Sequence, residues 1–327
     1  MPLVPAVGVV ITNFNNEAFV GAAIESVARQ SIRDIRVIVV DDASTDRSDD
    51  AIREVLSRIA DLRFRYIRLD TNLGQAGAIR RGLADLDAPF VCFLDSDDYW
   101  YPAFLARHLA AHLNADFPVA LSFCDSHIID SNGSLLAGTA WWFDYNEADP
   151  AHRLIGSAAI PDIKPGSGEV TYTVGRPMIL RTTWSLDSST NSMASMMLRR
   201  DFVDLVLVPP DRRLRLYVDF HLSTFAGLLT GVVAIHDALY AYRIHGENRH
   251  SNGALLGGRY SSSKADWAVI RKEILGVVDD VLRSQAQPIR QAFGDYRYTL
   301  AETQIGKALD PRTWIVKFGD RLRQFFQ

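Results

Sequence analysis

Cysteine is nearly absent. Cys92 and Cys124 are the only two in 327 residues, and they form no CxxC pair. A disulfide-stapled scaffold is therefore excluded, and a chain of this length, which buries about three quarters of its unfolded surface, needs none. Both thiols sit in apolar runs, which predicts buried free cysteines in a reducing compartment. An excess of one charge is also missing. The 35 Lys+Arg nearly balance 39 Asp+Glu, which removes the broad basic field that nucleic-acid binding needs. No apolar run is long enough for a bilayer span. The most apolar stretch, residues 220–239, is broken by His221, Gly227, Thr230, Gly231, His236 and Asp237. The opening Met1-Pro2-Leu3-Val4-Pro5 lacks a basic region, so no signal peptide is expected. Internal repeats and low-complexity tracts are absent too. A soluble, cytoplasmic globular protein is the expectation, and 48% hydrophobic against 23% charged residues agrees with it.

What is present is an alternation of two periods over the first 130 residues. Apolar runs at 7–12, 36–40, 64–69 and 89–94 predict strands. Between them, Phe19, Val20, Ala23, Ile24 and Val27 recur at helical spacing, as do Ile52, Val55, Leu56 and Ile59, and then Ile79, Gly82, Leu83 and Leu86. Such alternation predicts an α/β fold, with a mostly parallel sheet and helices on both faces. Each strand is followed directly by a polar cluster: Thr12–Glu17, Asp41–Asp46, Asn72–Gly74 and Asp95–Asp98. Ligands of such sheets bind outside the carboxyl ends of the strands, so the four loops converge on one edge. Beyond the turn at Asp130-Ser131-Asn132-Gly133 the pattern weakens. Residues 137–178, rich in Gly, Pro and aromatics, read as a long loop or lid. Helical patterns return from about 262 to 309.

Asp95-Ser96-Asp97-Asp98 is the sharpest chemical signal. Carboxylates crowded at a strand end repel one another unless a hard cation or a base compensates them, and oxygen donors favour Mg²⁺ or Mn²⁺ over Zn²⁺. The competing explanation is a helix N-cap before Pro102, which accounts for one aspartate better than for three. Gly74-Gln75-Ala76-Gly77 opens a helix that could approach a phosphate. Taken alone, its glycines read as helix-on-sheet packing, and no GxGxxG follows the first strand. His108 and His112 stand i,i+4 without a third ligand and read as a half-buried helix face. His245, alone, reads as a hydrogen-bonded structural histidine, and the polar run 185–192 as a solvated loop.

Together these pieces resemble the family 2 glycosyltransferases, which have the GT-A fold. Val9-Val10-Ile11-Thr12-Asn13-Phe14-Asn15-Asn16-Glu17 is similar to the family's opening "VVIPTYNNE", Ser26–Ser31 to "SVLNQT", and Val39–Asp46 to "VVDDGSTD". Asn72-Leu73-Gly74-Gln75 and Phe93–Trp100 resemble its "NxG" loop and "FLDADDxW" segment. Asn191-Ser192-Met193 with Leu198-Arg199-Arg200, Asp219-Phe220-His221-Leu222, and Tyr242–Asn248 follow the acceptor-side, "(E)DxxL" and "YRxHxxN" segments. The resemblance spans residues 7–250. It implies a GT-A domain over 1–255, divided into a nucleotide-sugar half (1–130) and an acceptor-side half (131–255), then a helical extension over 256–327.

The resemblance also implies roles. Thr12, Phe14 and Asn15 would line the nucleotide pocket with Phe14 on the base, Glu17 beside it, and Asp42 accepting from the base. Asn72 and Gly74 would flank the ribose and diphosphate, with Asp95 and Ser96 adding contacts to the nucleotide sugar. Asp95 and Asp97 would form the DxD motif, and His245 would complete the shell of a Mn²⁺ or Mg²⁺ ion or hold the diphosphate. Asp219 would be the general base of an inverting transfer from a UDP-sugar to a saccharide or lipid-linked acceptor in cell-envelope or extracellular polysaccharide synthesis. Three positions depart from the pattern: Thr12 for proline, Ile79-Arg80 for Arg-Asn, and Val218 for the Glu before the base. Two other classes remain at this point. One is a haloacid-dehalogenase-like phosphatase, although its DxD follows the first strand. The other is an inactive sugar-nucleotide-binding relative. In the tail, Trp314, Ile315, Phe318, Leu322, Phe325 and Phe326 form an apolar stripe beside Lys317, Arg321 and Arg323. It suits peripheral contact with the inner face of a membrane, or packing on the domain or on a second subunit.

Overall fold

The computed structural model describes residues 5–115, 119–138, 152–155, 159–163, 170–174, 178–181, 184, 192–207, 212–245, 248 and 264–310. The first four strands, β1 (Val7–Asn13), β2 (Ile35–Asp41), β3 (Phe64–Arg68) and β4 (Phe90–Asp95), alternate with α1 (Val20–Ala28), α2 (Ser48–Ile59) and α3 (Gly74–Leu83). These bounds lie within a residue or two of the expected runs. There follow β5 (Tyr99–Trp100), α4 (Phe104–Asn114), β6 (Leu121–Ile129), β7 (Leu135–Gly138), β8 (His152–Ile155), β9 (Ala159–Ile163), β10 (Val170–Val174) and β11 (Met178–Arg181). The chain continues through β12 (Met196–Arg199), α5 (Arg200–Val206), α6 (Val218–Leu229), β13 (Val232–Arg243), α7 (Lys264–Ser284), α8 (Ala286–Phe293) and α9 (Asp295–Leu309).

The main sheet runs β3-β2-β1-β4-β12-β6-β13-β11-β8, with β5 on β13 and β7 on β6. The four N-terminal strands are mutually parallel, as expected. The second half is mixed: β12 is antiparallel to both β4 and β6, β6 and β13 are parallel, and β11 is antiparallel to β13. Residues 137–178 are a correction to the expected long loop, because β8, β9 and β10 are strands and β9 pairs with β10. Short strands separated by turn residues carry too few alternations for a period to emerge. The tail at 313–327 lies outside the described residues.

Strand alternation divides the core between the two sheet faces. Val9, Ile11, Val37, Val39, Cys92 and Leu94 pack with Ile24 of α1, Ile52 of α2 and Phe104 of α4. Their neighbours in sequence, Val10, Ile38, Val40, Val91 and Phe93, face the other way onto Ile79 of α3, Leu222 and Phe225 of α6, and Ile274 and Ile305 of α7 and α9. Gly82 allows α3 to lie close on β1, since a Cβ there would stand 2.5 Å from Val10 Cγ1. Both cysteines are buried and free. His108 and His112 pack as expected, His108 on the Ser122 hydroxyl (2.8 Å) and His112 on the Met197 carbonyl (3.2 Å). Among the described residues no helix is long and apolar enough to cross a membrane.

Candidate functional site

The parallel register of β1 with β2 and β4 brings Thr12, Asn13, Asp41 and Asp95 to one edge, with Thr12 opposite Asp95 and Asn13 opposite Asp41. The loops beyond that edge open into a cleft of about 690 Å³. Of the residues expected at a site, Thr12, Phe14, Asn15, Asp42, Asn72, Gly74, Asp95, Ser96, Asp97, Asp219 and His245 line it, and Glu17 does not. Glu17 accepts the Arg47 N–H (2.6 Å) while its own N–H donates to Asp46 (2.9 Å), so it braces the loop from outside.

At the β1–β2 end, Phe14 is about half exposed (47%) over the cleft. Asn15 holds a left-handed backbone (φ 54°), a conformation asparagine tolerates better than most residues. Its side-chain oxygen accepts the Thr45 N–H (2.8 Å), so that side chain fastens the loop. Asp42 is buried and accepts the N–H groups of Leu73 (2.6 Å) and Gly74 (2.8 Å). Burial raises its pKa above the ordinary carboxylate value, against those two donors and Arg215. Asn72 donates to the Asp42 carbonyl (3.0 Å), closing the turn between β3 and α3 on the loop after β2. Gly74 has φ +75°, and a Cβ there would lie 2.9 Å from the Arg215 carbonyl oxygen.

At the β4 end, Asp95 accepts from Gln75 Nε2 (3.0 Å) and Thr12 Oγ1 (3.3 Å). Burial, then the charges of Asp97 and Asp219, push its pKa up to about 7. Ser96 is buried, its hydroxyl taken by Asn16 Nδ2 (3.0 Å). Asp97 Oδ2 stands 3.2 Å from His245 Nε2. The loop after β13 is built to hold that histidine. The third aspartate, Asp98, is buried and accepts the Arg243 backbone N–H (2.9 Å), while Arg243 Nε donates to the Asp97 carbonyl (2.9 Å). Asn248 accepts the His245 N–H and donates to the Arg243 carbonyl, and the His245 ring packs on Phe19 (4.9 Å between centroids).

Asp95 and Asp97 therefore differ in kind. One is committed to neutral donors; the other pairs with a histidine. Among the described residues no three His, Cys, Asp or Glu side chains make a ready metal site. A divalent cation nevertheless suits the donor set. Asp97 and His245 converge, the surroundings are acidic, and hard cations commonly combine one or two protein carboxylates with water and phosphate oxygens.

Opposite the DxD turn, Asp219 lies in the first turn of α6, where it was expected. Val218, Leu222 and Phe225 are buried behind it. Burial raises its pKa, partly offset by the Phe220 N–H that it accepts (2.8 Å). Sequence reasoning missed Gln75, Arg215 and Tyr217. A lone cation inside the apolar run Leu214–Val218, four residues before Asp219, is the one signal that could have drawn attention to Arg215. Asp187, Asp211 and Asn191 lie outside the described residues.

The glycosyl transferase family 2 model matches residues 8–160. An uncharacterized glycosyltransferase of Nostoc sp. is 27% identical over 248 residues, 76% of this chain and 67% of that protein. Other curated relatives are spanned over less of their length, for instance 15% and 56%. Among solved structures, S. aureus TarS in complex with UDP-GlcNAc is 17% identical with a TM-score of 0.52, covering 94% of this chain and 82% of that one. A mannosyltransferase from Pyrobaculum calidifontis in complex with GDP-Man and Mn²⁺ is 15% identical with a TM-score of 0.50, over 98% and 81%. The GT-A-like fold expected from the sequence is borne out, including the C-terminal helices. The chain is thus similar to glycosyl transferase family 2 over residues 8–160, and to glycosyltransferases among its curated relatives.

Proposed function

We propose that this chain is a family 2 glycosyltransferase that moves a sugar from a nucleoside diphosphate, a UDP-sugar in the first instance, onto a saccharide or lipid-linked hydroxyl acceptor, with inversion, in assembly of a cell-envelope or extracellular polysaccharide. One observation carries the reading. Asp42 with Asn72, Asp97 with His245, and Asp219 all face a single cleft at the carboxyl ends of the strands. Phe14 offers an exposed ring for the nucleobase, and the Asn72–Gly74 turn meets the ribose and diphosphate. Asp97 and His245 would hold Mn²⁺ or Mg²⁺, which when bound supplies charge stabilisation to the leaving diphosphate. Asp219 takes the acceptor's proton as its oxygen attacks the anomeric carbon. Its place in the first turn of a helix buried behind it holds the carboxylate at a fixed position, and such general-base help is worth about 10²–10⁴-fold.

The test is calorimetry with UDP and Mn²⁺ on the wild type and on Asp97→Ala, followed by a screen of nucleotide sugars for metal-dependent hydrolysis or transfer. Asp97→Ala is expected to lose about tenfold or more in UDP affinity when Mn²⁺ is present and little when it is chelated. Equal affinity of the two proteins with Mn²⁺ would overturn the assignment.

A further inference from the structure

Among its described lining residues the cleft is short of positive charge: five are aspartates (Asp42, Asp95, Asp97, Asp98 and Asp219), and of those described Arg215 is the single one with a permanent positive charge. Arg243 is directed elsewhere, with its guanidinium on the carbonyls of Asp97, Asp130 and Ser131. A nucleoside diphosphate brings at least two negative charges into this acidic surround, and one divalent cation at Asp97 and His245 leaves the remaining carboxylates opposed to it.

Arg215 is held where it can answer that charge. Leu214 and Val218 are buried on either side of it. The Arg215 carbonyl accepts the Ala76 N–H (3.2 Å) at the start of α3, and its side chain lies over the face of Gly74 where a Cβ would otherwise stand. Its Nη2 donates to the Asn72 carbonyl (3.1 Å) and to Asn72 Oδ1. Both bonds use one nitrogen, which leaves Nη1 and Nε for a ligand. The side chain itself is exposed at the mouth of the cleft, above the turn assigned to the ribose and diphosphate.

We propose that Arg215 is a donor-binding residue whose guanidinium contacts the diphosphate of the nucleotide. The inference rests on the nucleotide-donor reading above. A guanidinium suits the role because its charge is permanent and its donors are several, so that Nη1 or Nε can meet a phosphate oxygen while Nη2 remains anchored to Asn72.

The experiment measures affinity for UDP and GDP with Mn²⁺ by calorimetry, and for uridine and guanosine by NMR titration. The proteins are wild type, Arg215→Ala, Arg215→Lys and Arg213→Ala. Arg213 pairs with Asp280 away from the cleft (2.7 Å), so its variant removes the same charge from the same segment. Arg215→Ala is expected to weaken binding of the preferred diphosphate about 10–100-fold, and binding of its nucleoside less than about threefold. Arg215→Lys, which keeps the charge and loses the guanidinium geometry, should recover part of the diphosphate loss, and Arg213→Ala should match the wild type. Equal losses for nucleoside and diphosphate would show that Arg215 acts only through Asn72, and an unchanged diphosphate affinity would show that it does not act at all; either overturns the inference alone. If Arg215→Ala does not fold, the Lys variant decides: nucleoside and diphosphate losses of the same size overturn the proposal. A wild type that binds neither diphosphate overturns the function reading, and this inference with it.

Discussion

Asp219 is subject to opposed demands from folding and from chemistry. Burial raises its pKa in the folded chain above the ordinary 3.8. A carboxyl of this kind contributes its stabilisation below the unfolded pKa, where both states are protonated, and loses it as pH rises through the folded value. At pH 7–8 the ionised side chain is thus a cost to folding. Asp219→Asn is expected to raise the melting temperature at pH 8 and to leave it nearly unchanged at pH 4. The same variant should lose about 10²-fold or more in transfer while keeping donor affinity. Transfer near the wild-type rate would end the base assignment, and a lower melting temperature at pH 8 would end the electrostatic argument. At this scale the motif residues were legible because their chemistry is local: Asp42, Asn72, Asp97 and His245 each follow a strand directly. Which side of its loop Glu17 takes was not legible, because spacing alone cannot tell the inner wall of a loop from its outer brace. Arg215 was not legible, since its neighbours Asn72 and Gly74 are more than 140 residues away in sequence.

The N-terminal turn of α3 and its body depend on two glycines for different reasons, and two substitutions separate them. Gly82 faces Val10, so Gly82→Ala overpacks the helix on β1 and should cost about 1–3 kcal/mol of stability with donor affinity unchanged. Gly74 has a positive φ and Arg215 fills its Cβ space. Gly74→Ala therefore adds about 1 kcal/mol of backbone strain and also displaces the arginine. It should weaken UDP binding as well as lower the melting temperature. Chemical denaturation and calorimetry on both variants check this, and the contrast fails if Gly82→Ala is the one that loses UDP. The sequence reading of Gly74 and Gly77 as helix-on-sheet packing is corrected here: a Cβ at Gly74 would meet Arg215 and one at Gly77 would meet Leu73, while Gly82 is the glycine that lies against β1. Strand and helix periods up to residue 115 were readable because each element is two-sided, with long enough runs to show its period. In 137–178 the strands are four or five residues long, and their pairing across the chain, rather than local pattern, makes them strands.

For the whole molecule, the C-terminal helices bear on the cleft without lining it. Leu222 and Phe225 of α6, the helix that begins with Asp219, share one buried cluster with Ile274, Leu275 and Val278 of α7, Ile289 of α8, and Ala301 and Ile305 of α9. That cluster is continuous with the sheet face made by Val10, Ile38 and Phe93. The helical pattern over 262–309 was plain in the sequence. Its role was not, because a helix's own periodicity says which side is apolar and not what that side covers. If α7–α9 complete the core, they cannot be removed as a separate unit. Ending the chain at residue 263 exposes the inner face of α6, and the product should be insoluble or lack a cooperative thermal transition. Ile305→Ala is the milder test. Ile305 is fully buried, so the truncation leaves a cavity and should lower stability by about 2–5 kcal/mol. The loss should appear in one transition common to circular dichroism and to the fluorescence of Trp100, which lies on the opposite sheet face. Two separate transitions, or a chain ending at 263 that still melts cooperatively at the wild-type temperature, would show that the C-terminal helices stand apart from the fold that holds Asp219.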